Sequence, residues 1–158
     1  MTTPEPSQHL LSLMKIAHAA GARIMEIYSG DFEVATKADA SPVTEADVAA
    51  ETIILDGLKS IEPAANIIAE EAVSAGATPE VTHEFYLVDP LDGTREFISR
   101  NGEFTVNIAL VRDGAPIAGV VYAPALSTLY AGEMRSGAFE TSLKADESFP
   151  DAPALKRI

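Results

Sequence analysis

Asp89-Pro90-Leu91-Asp92-Gly93-Thr94 closes a short apolar run with two carboxylates three residues apart, a turn-forming glycine and a hydroxyl. A turn at a strand end brings both carboxylates to one spot, where they can ligate the same or adjacent hard cations. Mg²⁺ suits such a place, since it takes oxygen ligands, retains waters and is completed by a substrate phosphate. A helix starting near Thr94 would aim free backbone N–H groups at that phosphate. Pattern alone leaves a solvated, Asp-rich turn equally open. Glu70-Glu71 ends the Ile67-Ile68-Ala69 run, and strand alternation predicts that at most one of the pair faces the Asp89/Asp92 turn. Asp47 follows Thr44 at the spacing of an ordinary helix capping box, so it reads either as a cap or as a further site carboxylate. Lys37 lies upstream, and a solvated strand lysine is as good a reading as a phosphate contact.

The elements that must carry these residues read as α+β. Leu10, Leu13, Met14, Ala17, Ala20, Ile24, Ile27 and Tyr28 predict an amphipathic helix over Ser7 to Ser29, capped by Ser7 and closed by Gly30. Phe32 to Ala38 predicts a strand, and Thr44 opens a second helix with Val48, Ile54, Leu55, Leu58 and Ile61 as its buried face. Asn66 to Ala69 and Phe85 to Val88 read as strands. Phe104 to Val111 and Pro116 to Tyr122 flank Asp113-Gly114, a hairpin signal, and Leu129 to Ala131 and Ala138-Phe139 continue the meander. Residues 1–140 form the predicted domain, and 141–158, with its charges and prolines, reads as a linker or the start of a further domain.

Composition narrows the chemistry. The 158 residues carry 24 Asp and Glu against 11 Lys and Arg, a net charge of −13, which argues against a nucleic-acid polymer or an anionic membrane as partner. There is no cysteine, so disulfides and thiolate chemistry drop out. The longest uncharged apolar stretch, Ala115 to Thr128, is shorter than the roughly 20 residues of a spanning helix. The start lacks a basic region before its apolar run, so a cytoplasmic protein is expected. His9, His18 and His83 share no ligand spacing, Arg95 and Arg100 read as solvated, and Phe85, Phe97 and Phe104 as core.

The carboxylate segments together resemble the signature of the lithium-sensitive, Mg²⁺-dependent phosphatases of the inositol monophosphatase superfamily. The wider run DPLDGTREFISRNGEFTVNIAL, Asp89 to Leu110, resembles more specifically the CysQ-type branch, the 3′(2′),5′-bisphosphate nucleotidases, and Ser41-Pro42-Val43-Thr44 with Lys37 fits it too. The resemblance implies the N-terminal half of a layered αβαβα fold, two helices on a mostly antiparallel sheet. It also implies a hydrolase that removes the 3′-phosphate of adenosine 3′,5′-bisphosphate to give AMP, in sulfur metabolism, with inositol 1-phosphate as the rival substrate. By the same resemblance Glu70, Asp89 and the Leu91 carbonyl hold one Mg²⁺, and Asp92 joins Asp89 at a second. Glu70 and Thr94 orient the attacking water, Asp47 accepts a hydrogen bond from the Thr94 hydroxyl, and the Gly93 and Thr94 amides hold the phosphate. Glu71 and Lys37 are implied only as supporting residues. The family continues into a second α/β domain with a Trp-Asp segment, whereas this sequence has no Trp and ends at Ile158. The expectation is therefore an incomplete second metal site, exposed apolar surface that favours self-association, and impaired activity. The rival class is an inactive remnant serving as a Mg²⁺-binding or assembly module.

Overall fold

The computed structural model describes residues 5–158. Helix α1 (Gln8–Tyr28) starts where the Ser7 hydroxyl accepts the Leu10 N–H at 3.1 Å, and its buried face carries Leu10, Leu13, Met14, Ala17, Ala20, Ile24 and Ile27. Its C-cap is Ser29 in a right-handed conformation, so Gly30 follows the cap without supplying it. The strand expected over Phe32 to Ala38 contracts to β1 (Val34–Thr36). It pairs antiparallel with β2 (Pro42–Thr44) as a separate two-stranded hairpin, whose tip is fixed by Asp39 accepting from Ser41.

Helix α2 (Glu45–Ile61) has the predicted start and only part of the predicted buried face. Ala46, Asp47, Ala50, Glu51, Ile54 and Leu58 point inward, while Val48 is 55% exposed and Ile61 39%. Ile54 and Leu58 are buried as expected and Leu55 packs against the core, but Asp47 is turned into the protein, so its neighbour Val48, rotated by one helical step, faces water.

The main sheet has seven strands in the order β3 (Ile67–Ala69), β4 (Glu84–Asp92), β5 (Thr105–Arg112), β6 (Ala115–Ala123), β7 (Thr128–Glu133), β8 (Gly137–Ser142) and β9 (Lys156–Arg157). Only β3 runs parallel to its neighbour β4; every other pair is antiparallel. The β5–β6 turn places Asp113 and Gly114 at φ 53° and 75°, the double positive φ that a two-residue hairpin of matching twist demands. Tyr86, Val88, Val106, Ile108, Val120, Tyr122, Leu129, Ala131 and Phe139 line the sheet face that meets α1 and α2 in one core. At Gly21 the packing is closest: a Cβ there would sit 2.4 Å from the Tyr122 ring. The α+β architecture of two helices on a mostly antiparallel sheet is thus the one observed. The boundary drawn after residue 140 falls inside β8. Beyond it Leu143 is buried, Phe149 and Leu155 pack against the core, and β9 adds to the sheet edge.

Two short helices remain, α3 (Glu70–Ser74) after β3 and α4 (Thr94–Ile98) after β4. With the N-terminus of α2 and the β1–β2 hairpin they surround the C-terminal end of β4. Arg100, expected in solvent, donates to the Tyr28 and Gly30 carbonyls and lies over the Phe32 ring, tying the end of α4 to the end of α1.

Candidate active site

Pairing between β4 and β5 is regular up to Asp89↔Asn107 and then shifts before Asp92↔Thr105. The irregularity breaks strand alternation: Pro90 and Leu91 are both buried, and Asp89 and Asp92 flank them. Gly93 then takes φ 94°, and a Cβ there would meet the Glu103 carbonyl oxygen at 2.9 Å, so this turn accepts only glycine without strain. Thr94 opens α4, whose first turn has no side-chain cap.

Asp47 has no exposed surface and organises the hydroxyl. Its Oδ2 accepts the Thr44 N–H at 2.8 Å and the Thr44 hydroxyl at 2.6 Å, and its Oδ1 accepts the Thr94 hydroxyl at 2.9 Å. The Leu91 carbonyl lies 3.3 Å from the same hydroxyl. The two readings of Asp47 therefore coincide: one carboxylate is both the α2 capping box and the acceptor for Thr94.

Asp89 is the strained member. Burial pushes its carboxyl up to about 7, helped by a hydrogen bond with Glu70 and by the charges of Glu70 and Asp92, against a pull downward from the Leu91 N–H. Asp89 Oδ1 is buried with no hydrogen-bond partner, and so is Oδ1 of Asn107 directly across the strand pair. Asn107 spends its amide N–H on Asp92 Oδ2 at 3.2 Å. Buried acceptors without a donor are uncommon in proteins, and a cation is one group that would satisfy them. The donor set is all oxygen, the preference of Mg²⁺. The oxygen donors present are of the type that the sequence implied for Mg²⁺. Among the described residues no three His, Cys, Asp or Glu side chains are grouped so that they could hold a metal ion, and Glu70 is turned toward Lys37.

Glu70 and Glu71 do not end a strand. They open α3, so one helical step rather than strand alternation separates them, and both reach Lys37 Nζ, at 3.1 Å and 2.7 Å. Lys37 is not a solvated lysine: its side chain is 9% exposed. Burial pulls its ammonium down, but the hydrogen bonds and charges of Glu71 and Glu70 outweigh this and raise it above the usual range.

Sequence reasoning missed two residues. Asn107 was recoverable as the lone amide inside the apolar run Val106-Asn107-Ile108. Glu51 was recoverable from its i, i+4 relation to Asp47. It is buried and accepts the Glu71 N–H at 2.8 Å. Burial raises its carboxyl, with the Glu71 and Ala72 amides acting against it. A cavity of about 710 Å³ lies elsewhere, at the opposite end of β4 between His9, Glu62, Arg112 and Met134.

The inositol monophosphatase family model matches residues 6–153. The chain belongs to that family. Within it the chain is 50% identical over 118 residues to the 3′(2′),5′-bisphosphate nucleotidase CysQ of Escherichia coli strain K12, which covers 73% of this chain and 48% of that protein. The CysQ of Buchnera aphidicola is 39% identical over 149 residues, 90% of this chain and 56% of that one. Among solved structures, CysQ from Bacteroides thetaiotaomicron aligns with a TM-score of 0.75 at 35% identity, covering 95% of this chain and 57% of its own. The extragenic suppressor protein suhB from Bartonella henselae aligns at 0.76 and 30% identity, covering 87% and 54%. The chain spans about half the length of the curated relatives it matches.

Proposed function

We propose that this chain carries the metal- and phosphate-handling machinery of a Mg²⁺-dependent phosphomonoesterase that converts adenosine 3′,5′-bisphosphate to AMP and phosphate in the cytoplasm. The observation that carries the reading is the meeting, at the end of β4, of unpartnered oxygen acceptors on Asp89 and Asn107 with the Thr94–Asp47 hydrogen bond. The similarity to CysQ proteins favours a nucleotide bisphosphate over inositol 1-phosphate.

Glu70, Asp89, Asp92 and the Leu91 carbonyl would hold Mg²⁺, which when bound neutralises phosphoryl oxygens and acidifies water. The chain's own residues do the rest. Thr94 donates its hydroxyl hydrogen bond to Asp47, so its oxygen presents lone pairs to the site and can fix a water by accepting a hydrogen bond from it. Glu70, the more exposed of the acidic pair, would accept the water's other hydrogen bond. The uncapped first turn of α4 leaves the Gly93 and Thr94 amides for the phosphate. Leu87, Val121 and Tyr130, exposed on the sheet face away from α1 and α2, are the surface through which the chain would self-associate. No helix among the described residues is long and apolar enough to cross a membrane.

The test is phosphate release by the 158-residue chain from adenosine 3′,5′-bisphosphate and from inositol 1-phosphate, with AMP followed by chromatography. Release should need Mg²⁺, fall with Li⁺, favour the nucleotide, and vanish in Glu70→Ala. Release indifferent to Mg²⁺ and to Glu70 overturns the mechanism, and a preference for inositol 1-phosphate overturns the substrate.

A further inference from the structure

The β1–β2 hairpin has little core of its own. All three residues of β1 are exposed, and strands of three residues are too short to be stable alone. One strand is held because Thr44 caps α2. The other leads directly into Lys37, whose long side chain crosses to the acidic pair on α3. The two contacts are unequal. Glu71 is 10% exposed and its oxygen is 2.7 Å from Nζ; Glu70 is 46% exposed and 3.1 Å away. Glu71 is also fixed from behind, because the buried Glu51 carboxylate accepts its backbone N–H. Glu70 is the residue whose charge also acts on Asp89.

We propose that Glu71 anchors Lys37, and through it the hairpin, so that Lys37 is an internal cation resting on Glu70 which a divalent cation must displace. This rests on the metal reading above. A divalent ion shared by Glu70 and Asp89 puts like charge beside the ammonium, and the weaker, more exposed contact is the one that yields. Lys37 then keeps Glu71 and leaves Glu70. Glu71 is accordingly a positioning residue, not a ligand, and the acidic pair divides its work: one carboxylate for the metal, one for the lysine.

The experiment titrates Mn²⁺ alone into the intact chain by calorimetry, with amide hydrogen exchange of the metal-free hairpin as a second readout. Lys37→Met should bind Mn²⁺ about fivefold more tightly, since a half-exposed ion pair is worth up to about 1 kcal/mol. Lys37→Arg, which keeps the charge, should stay near the parent. Glu71→Gln should bind about fivefold more weakly, because the unanchored ammonium rests more fully on Glu70, and the double variant should return to the Lys37→Met value. Exchange at Val34 to Ser41 should quicken in both single variants. Unchanged or weaker Mn²⁺ binding in Lys37→Met overturns the proposal, as does an equal loss from Glu71→Gln in either background, which would make Glu71 a ligand. A chain whose Mn²⁺ binding ignores Glu70→Gln overturns the metal reading and the competition with it. Hairpin exchange unchanged by Glu71→Gln overturns the anchor separately.

Discussion

Replacing Asp47 by Asn is the sharpest perturbation of the hydroxyl network, because it changes charge and proton direction with almost no change of volume. The carboxylate accepts three hydrogen bonds at 2.6–2.9 Å in a place closed to water. An amide has one oxygen, and the Thr44 N–H cannot turn away, so the oxygen must face Thr44 and the NH₂ must face Thr94. Thr94 then becomes an acceptor and its proton is driven off Asp47's position. Two bonds survive but lose their ionic partner, at about 1 kcal/mol each, and the third is inverted. Relief from burying a charge offsets part of this, leaving a loss of about 2–3 kcal/mol. For a chain of this size that lowers Tm by about 5–10 °C, and phosphate release should fall by about 10² or more as the water loses its orienting acceptor. Thermal unfolding of Asp47→Asn, Thr94→Val and the double variant is the assay. The reasoning fails if Asp47→Asn melts with the parent, or if Thr94→Val costs as much in the Asp47→Asn background as alone, since residues in one network must couple.

Two further substitutions test the packing that holds the site in place. Glu133 on β7 accepts from the Ser7 backbone, the Ser7 hydroxyl and the Ser136 hydroxyl, which ties the start of α1 to the sheet. Burial raises its carboxyl, yet those hydrogen bonds win and hold it below the usual range. Its contribution is therefore full above the ordinary Glu value and lost as pH falls. Urea unfolding should show Glu133→Gln about 1–2 kcal/mol less stable at pH 7, with the gap closing between about pH 5 and pH 3. Gly21→Ala should gain about 1 kcal/mol of helix propensity and lose more to overpacking. The Tyr122 ring it strikes is fully buried and pinned by its hydroxyl to the Leu143 carbonyl at 2.8 Å, so the net effect in urea unfolding should be destabilising by about 1–2 kcal/mol.

Residues that write local rules were readable without coordinates. Ser7, Thr44 with Asp47, and Asp113-Gly114 each satisfy backbone groups by a fixed offset, and the structure uses each at that offset. Two carboxylates, a glycine and a threonine in six residues marked the end of β4. What the sequence hid is what tertiary pairing decides. Five-residue α3 is too short to show a helical period, so Ile67-Ile68-Ala69-Glu70-Glu71 read as one strand. Asp47, turned inward toward Thr94, leaves Val48 in water against the hydrophobic pattern, while Ile54 and Leu58 follow it. Asn107 and Glu51 matter through partners 15 and 20 residues distant in the chain, Asp92 and Glu71, and no local period marks such contacts. Leu143, Phe149 and Leu155 are too far apart along a polar segment to announce that residues 141–158 lie on the same core.

The central claim is that the end of β4 is a divalent-cation site, and anomalous diffraction from crystals soaked in Mn²⁺ tests it directly. The strongest peak should lie about 2 Å from a carboxylate oxygen of Asp89, with oxygens of Glu70, Asp92 or the Leu91 carbonyl completing its shell. A peak bound elsewhere, or no peak at saturating Mn²⁺ with the Asp89 and Asn107 oxygens still unpartnered, would contradict it.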